Sequence, residues 1–131
     1  MTSDFVTLRF DQADLLHTVD GLSDEELDQL DFGVIGFDQD ATVRRYNVCE
    51  SKMAGLSRDR VIGNRLFTTV APCMNYFMVA QRFEDALAAS EILDVTIDYV
   101  FTLRMRPVKV RLRLVADPAL SHRYVLVQRA V

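Results

Sequence analysis

Cysteine is scarce in this chain of 131 residues, which has only Cys49 and Cys73. Two thiols alone cannot build a four-ligand structural zinc site. The first ten residues, MTSDFVTLRF, have neither a basic n-region nor an apolar h-region, so no signal peptide is expected and a cytoplasmic location is. In that reducing compartment a disulfide is not expected. No apolar run is long enough to span a bilayer; a segment such as 125–127 is far too short. There is no Gly-rich phosphate loop, metal-ligand cluster, repeat or low-complexity tract. The available bases for a nucleophilic cysteine are His17 and His122, and neither lies in a cysteine-hydrolase context, so an enzyme is not the expectation.

Half of the residues are apolar and 26% are charged, a globular composition at a length that supports one domain with a core of its own. The net charge of −4 is unevenly spread. Residues 1–31 hold nine acidic side chains against Arg9, and residues 101–131 hold seven basic ones against Asp117. Long-range attraction between an acidic head and a basic tail is one reading of that asymmetry. A nucleic-acid surface at the basic end is the other, and the acidic pI near 5.1 and the lack of a nucleic-acid motif weigh against it.

Local patterns predict an α+β order. Residues 11–19 mix apolar and acidic side chains and suit a short helix. In LSDEELDQL (22–30), Ser23 and Glu26 form a capping box, with Leu22 and Leu27 as its hydrophobic staple. FGVIGF (32–37) and TVRRYNV (42–48) flank DQDA, which reads as a β-hairpin; Gly33 and Gly36 permit close packing on a neighbour. Brief helices fit 49–64, punctuated by Gly55 and Gly63. Val79, Phe83 and Leu87 make one stripe of a longer helix within 75–90. Strand-like runs at 92–103, 107–116 and 123–131 close the chain. In the second of them Lys109, Arg111 and Arg113 alternate with apolar residues, which predicts one solvated face. An antiparallel sheet with helices on one of its faces follows.

Two features invite a chemical reading. Cys73 follows a proline in VAPCMNYF, although a cysteine is often no more than a small buried hydrophobe. Tyr46 and Glu50 stand four apart in YNVCE and project to the same side if that stretch turns helical. A carboxylate ordinarily stays in solvent, because burial is costly unless it is protonated or paired.

Tyr46-Asn47, Glu50, Gly55, VIGNRLF (61–67), VAPC (70–73) and Phe83 resemble the photoactive yellow protein family at matching spacing. So do Phe32-Gly33, Tyr99, Phe101, Met105-Arg106-Pro107 and Lys109-Val110. The resemblance covers about residues 20–131 and implies a PAS-like fold, a central five-stranded antiparallel sheet with short helices packed on it. It divides a single photosensory domain over 1–131 into an N-terminal helical cap (1–30) and a PAS core (31–131). It further implies a blue-light receptor carrying p-coumaric acid (4-hydroxycinnamic acid) as a thioester on Cys73. Tyr46 and Glu50 would hydrogen-bond the phenolate oxygen of that chromophore, and light-driven trans–cis isomerisation, proton transfer from Glu50 and partial unfolding would give the signalling state. Ile35, Ala54, Leu56, Leu66, Val70, Ala71, Pro72, Tyr99, Phe101 and Met105 would line the pocket, with Pro72 stiffening the backbone beside the thiol. Glu50 donates only when protonated, and burial favours that form.

The chain departs from the family's pattern at three places. Ala54 stands where a threonine is usual, Leu56 where an arginine covers the ring, and Leu103 where a tyrosine is common. The expected partners are the small-molecule chromophore and a downstream signalling protein of unknown identity, with no nucleic acid and no membrane, the chain itself being a monomer or weak dimer. The alternative from another class is a PAS-like interaction or dimerisation module that binds no chromophore. A thiol-dependent enzyme is the weakest reading.

Overall fold

A computed structural model describes residues 8–75, 78–101 and 107–129. Two short helices, α1 (Leu15–Asp20) and α2 (Asp24–Leu27), precede a hairpin of β1 (Gly33–Phe37) and β2 (Val43–Tyr46). Helices α3 (Val48–Ala54) and α4 (Arg58–Val61) follow, then a π-helical turn (Leu66–Val70), a 3-10 turn (Pro72–Met74) and α5 (Ala80–Ala89). Strands β3 (Leu93–Phe101), β4 (Val108–Ala116) and β5 (Arg123–Arg129) complete one antiparallel sheet in the order β2-β1-β5-β4-β3.

The period-two alternation of the strands divides the core between the two sheet faces. Val34, Val115, Tyr124 and Leu126 pack with Leu15, Leu16, Val19 and Leu27 of α1 and α2. Their neighbours Ile35, Phe37, Leu114, Val125 and Val127 pack on the other face with Leu66, Met74 and Phe83. Strand β1 is therefore buried along its whole length. The capping box forms as expected: the Ser23 hydroxyl accepts from the Glu26 N–H, and the Glu26 carboxylate accepts from the Ser23 N–H. The hairpin turn is held by Asp38, whose Oδ1 accepts from the Asp40 and Thr42 N–H groups.

Four expectations are corrected. Helical segments cover both faces of the sheet rather than one, because both alternating sets of strand side chains are apolar. Helix α5 begins only at Ala80 and buries Ala80, Phe83 and Ala86, leaving Leu87 42% exposed, so its apolar stripe is rotated from Val79–Phe83–Leu87. Lys109 and Arg111 are solvated, but Arg113 is buried, because the segment before α1 crosses that end of the sheet. Its guanidinium donates to Asp94 through Nε and Nη2 (2.8 Å each) and to the Phe10 and Gln12 carbonyls (2.9 and 2.6 Å). Nor does the acidic head pair mainly with the basic tail: Asp24 and Asp28 meet Arg45 and Arg58 from mid-chain, while Arg111 and Arg113 meet Asp98 and Asp94 of β3.

Candidate functional site

The site grows from the junction of β2 and α3. Tyr46 ends β2 opposite Ile35 and is 4% exposed. Asn47 caps α3 and is buried with both ends of its amide in use. Its Oδ1 accepts from the Glu50 N–H (3.1 Å) and the Val34 N–H (2.9 Å), while Nδ2 donates to the Leu27 and Phe32 carbonyls (2.9 and 3.0 Å). That one side chain fixes α3 against β1 and against α2. Arg58 holds the corner from outside, donating through Nε to the Tyr46 carbonyl (2.9 Å) and through Nη2 to Asp28 (2.7 Å).

Glu50 is thereby carried into the interior, 2% exposed, beside Gly33. A Cβ at position 33 would collide with Oε1, so only glycine admits the carboxyl there. Arg129 meets it bidentately, Nη1 to Oε1 at 2.6 Å and Nη2 to Oε2 at 3.0 Å. The guanidinium carbon stands 5.6 Å from the Phe101 ring centroid. Burial pushes the Glu50 carboxyl above its usual value, and the Arg129 guanidinium opposes that rise. Burial, with the nearby Glu50 charge, also holds the Tyr46 phenol well above its ordinary range. Tyr46 therefore keeps its proton, and stays a donor, throughout the neutral range.

Cys73 lies on the 3-10 turn, half-buried, with Pro72 exposed at the turn's first position. The hydroxyl of Tyr99 donates to the Cys73 carbonyl. The preceding π-helical turn closes on itself through Ala71 N–H to the Leu66 carbonyl (2.7 Å), which fixes the approach to the cysteine. Cys49, by contrast, is a partly buried thiol whose pKa is raised chiefly by burial.

Of the residues expected to line a pocket, Ile35, Tyr46, Leu66, Ala71, Tyr99 and Phe101 fall in one buried cluster, and Leu56, Val70 and Cys73 pack against it. Ala54 is partly buried on α3. Met105 and Leu103 lie outside the described residues. Sequence reasoning missed Arg129, whose partner Glu50 is 79 residues away, and the structural role of Asn47. The only local signal was Asn immediately before a helix with an acid three residues on, the cap pattern.

Among the described residues no group of three or more His, Cys, Asp or Glu side chains is placed to hold a metal ion, and no helix is long and apolar enough to cross a membrane.

No family model matches the chain. Known proteins do. It is 32% identical to photoactive yellow protein of Rhodothalassium salexigens over 107 residues, 82% of this chain and 85% of that one. The figures for photoactive yellow protein of Halochromatium salexigens are the same. Among solved structures, the photoactive yellow protein domain of the sensor histidine kinase Ppr from Rhodospirillum centenum superposes with a TM-score of 0.79 at 35% identity, covering 86% of this chain and 98% of that domain. The PAS domain of the RpfR quorum-sensing receptor from Cronobacter turicensis, at 15% identity and a TM-score of 0.56, shares the fold. With that identity over most of both chains, and with the PAS fold in place, the protein belongs to the photoactive yellow protein family.

Proposed function

We propose that this photoreceptor-family chain senses blue light through p-coumaric acid bound as a thioester on Cys73. The observation that carries the reading is that Tyr46 and Cys73 belong to one apolar cluster, with Glu50 buried one helical turn on from Tyr46. The Cys73 sulfur would displace the activating group from the acyl carbon and lose its thiol proton. Tyr46 donates to the phenolate oxygen, and Glu50 donates when it carries a proton. When bound, the group supplies light absorption and a double bond that isomerises. Glu50 then holds the proton that can move, and its loss would change the charge that faces Arg129 and, with it, the packing around the site.

Leu56, packed against the core where the family usually has an arginine, offers apolar cover and no charge. Ala54 gives Tyr46 no hydroxyl to lean on. The lining we assign to the chromophore is Ile35, Ala54, Leu56, Leu66, Val70, Ala71, Pro72, Tyr99, Phe101 and Met105. The Ppr neighbour is a domain of a sensor histidine kinase, which supports a signalling protein as the reader of this chain. We place the chain in the cytoplasm, as a monomer or weak dimer with residues 1–30 as its cap.

Incubation of the purified chain with activated p-coumaric acid tests the assignment by mass and by absorption. One p-coumaroyl addition with a visible band is expected, lost in Cys73→Ala and retained in Cys49→Ala. The reverse pattern would move the attachment site, and no addition to either thiol would leave the chromophore-free interaction module.

A further inference from the structure

The chemistry expected of Glu50 as a donor and its actual partner do not agree. A carboxyl that is to donate must be neutral, yet both of its oxygens here accept from Arg129. Arg129 is itself only 10% exposed. A guanidinium does not deprotonate in the neutral range. A neutral Glu50 would therefore leave a buried cation with no anion beside it, whereas breaking a buried ion pair is among the costliest changes an interior can undergo.

The groups around Arg129 are few enough to balance. Glu50 and Cys49 come from α3, Tyr46 from β2, and the Phe101 ring from β3. Asp31 and Lys52 act on Cys49. Tyr46 stays neutral, and burial keeps the Cys49 thiol protonated. Among the described residues, Glu50 is then the one anion that can balance the guanidinium. Leu56 contributes no second cation.

We propose that Arg129 is the counter-charge of this site, a positioning residue that Glu50 neutralises before chromophore is attached and that a bound phenolate neutralises afterwards, with Glu50 taking the proton the phenol gives up. The exchange conserves atoms and charge: one proton passes from a phenol oxygen to a carboxylate oxygen, and one anion faces one cation before and after. It rests on the function proposed above. Arg129, held at the end of β5 and covered by Phe101, thus does electrostatically what an arginine at position 56 would do from the other element. It also sets which of two acids is ionised.

The readout is the Glu50 carboxyl stretch in the infrared, assigned by its loss in Glu50→Gln. In the unloaded wild-type chain at neutral pH it should be a carboxylate, and in Arg129→Gln a protonated carboxyl, binding its proton at least about tenfold more tightly. Arg129→Lys should restore the carboxylate. On loading, wild-type Glu50 should gain the protonated band, while loaded Arg129→Gln should hold a neutral, shorter-wavelength chromophore at neutral pH. A protonated Glu50 in the unloaded wild type would overturn the proposal, and that measurement decides even if Arg129→Gln does not fold. An Arg129→Gln titration matching wild type would also overturn it. Failure of the function itself has a separate sign, the absence of added mass at Cys73.

Discussion

A methyl group at position 33 would meet the Glu50 carboxyl, since a Cβ there collides with Oε1 and lies 3.1 Å from Cδ. Overpacking a tight interior costs about 1–3 kcal/mol. We therefore expect Gly33→Ala to lower the unfolding free energy in urea by about 2 kcal/mol; an unchanged midpoint would mean the carboxyl has room to turn away. Tyr46 carries a different expectation. Its hydroxyl keeps its proton, being buried, so its proposed service is to donate to an anion. Removing a donor disfavours the anion and raises the chromophore's pKa. In Tyr46→Phe the shorter-wavelength, protonated form should appear at a higher pH than in the wild type. Coincident titration curves would show that Tyr46 does not touch the phenolate.

The element that organises the site is α3, and its cap does more than end a helix. The Asn47 amide bonds two N–H groups and two carbonyls drawn from α3, β1 and the segments around α2. Each buried polar group left unpaired costs about 1–3 kcal/mol, so Asn47→Ala should destabilise the chain by at least about 3 kcal/mol. Loss of less than about 1 kcal/mol in chemical denaturation would indicate that water replaces the amide. This cap was half legible in the sequence. Asn before a helix with Glu three residues on is a local pattern, as are the Ser23–Glu26 box and the strand alternation. The burial of Tyr46 and Glu50 together at the junction of β2 and α3 was legible only through the resemblance to a known motif. What no local pattern carried was the partner at long range. Arg113 reads as a solvated strand residue until Phe10 and Gln12, over a hundred positions away, lie across it. Arg129 reads the same way until Glu50 arrives. The π-helical turn at Leu66–Val70 was missed because its distinguishing bond, five residues long, has no side-chain periodicity of its own.

Across the whole molecule, α1 and α2 are fastened to the sheet by polar contacts around an apolar patch. Arg45 of β2 donates to the Val19 and Leu22 carbonyls and to the Tyr124 hydroxyl, which in turn donates to Asp20 (2.7 Å). On the far side His17 bridges Asp14 (2.6 Å) and Asp117 (3.0 Å), linking α1 to the turn after β4. Those hydrogen bonds, Asp14's first, raise the His17 pKa above 6.5 in the folded chain. The stabilisation is therefore fully present below that value and is lost as pH rises through the folded pKa. The melting temperature should fall between about pH 6 and pH 8, and His17→Gln should remove that slope. A wild-type melting temperature that is flat across the range would show the bridge adds nothing to stability.

Val34 and Glu50 hand their amide protons to the same Asn47 oxygen. Neither can reach solvent by a local fluctuation that spares the other, because the acceptor leaves both at once. In deuterium oxide the two protons should show the same protection, although they belong to a strand and a helix. Nδ2 of the same amide holds the Leu27 carbonyl at the end of α2. Any event that turns the amide loosens the N-terminal helices and the site in a single opening.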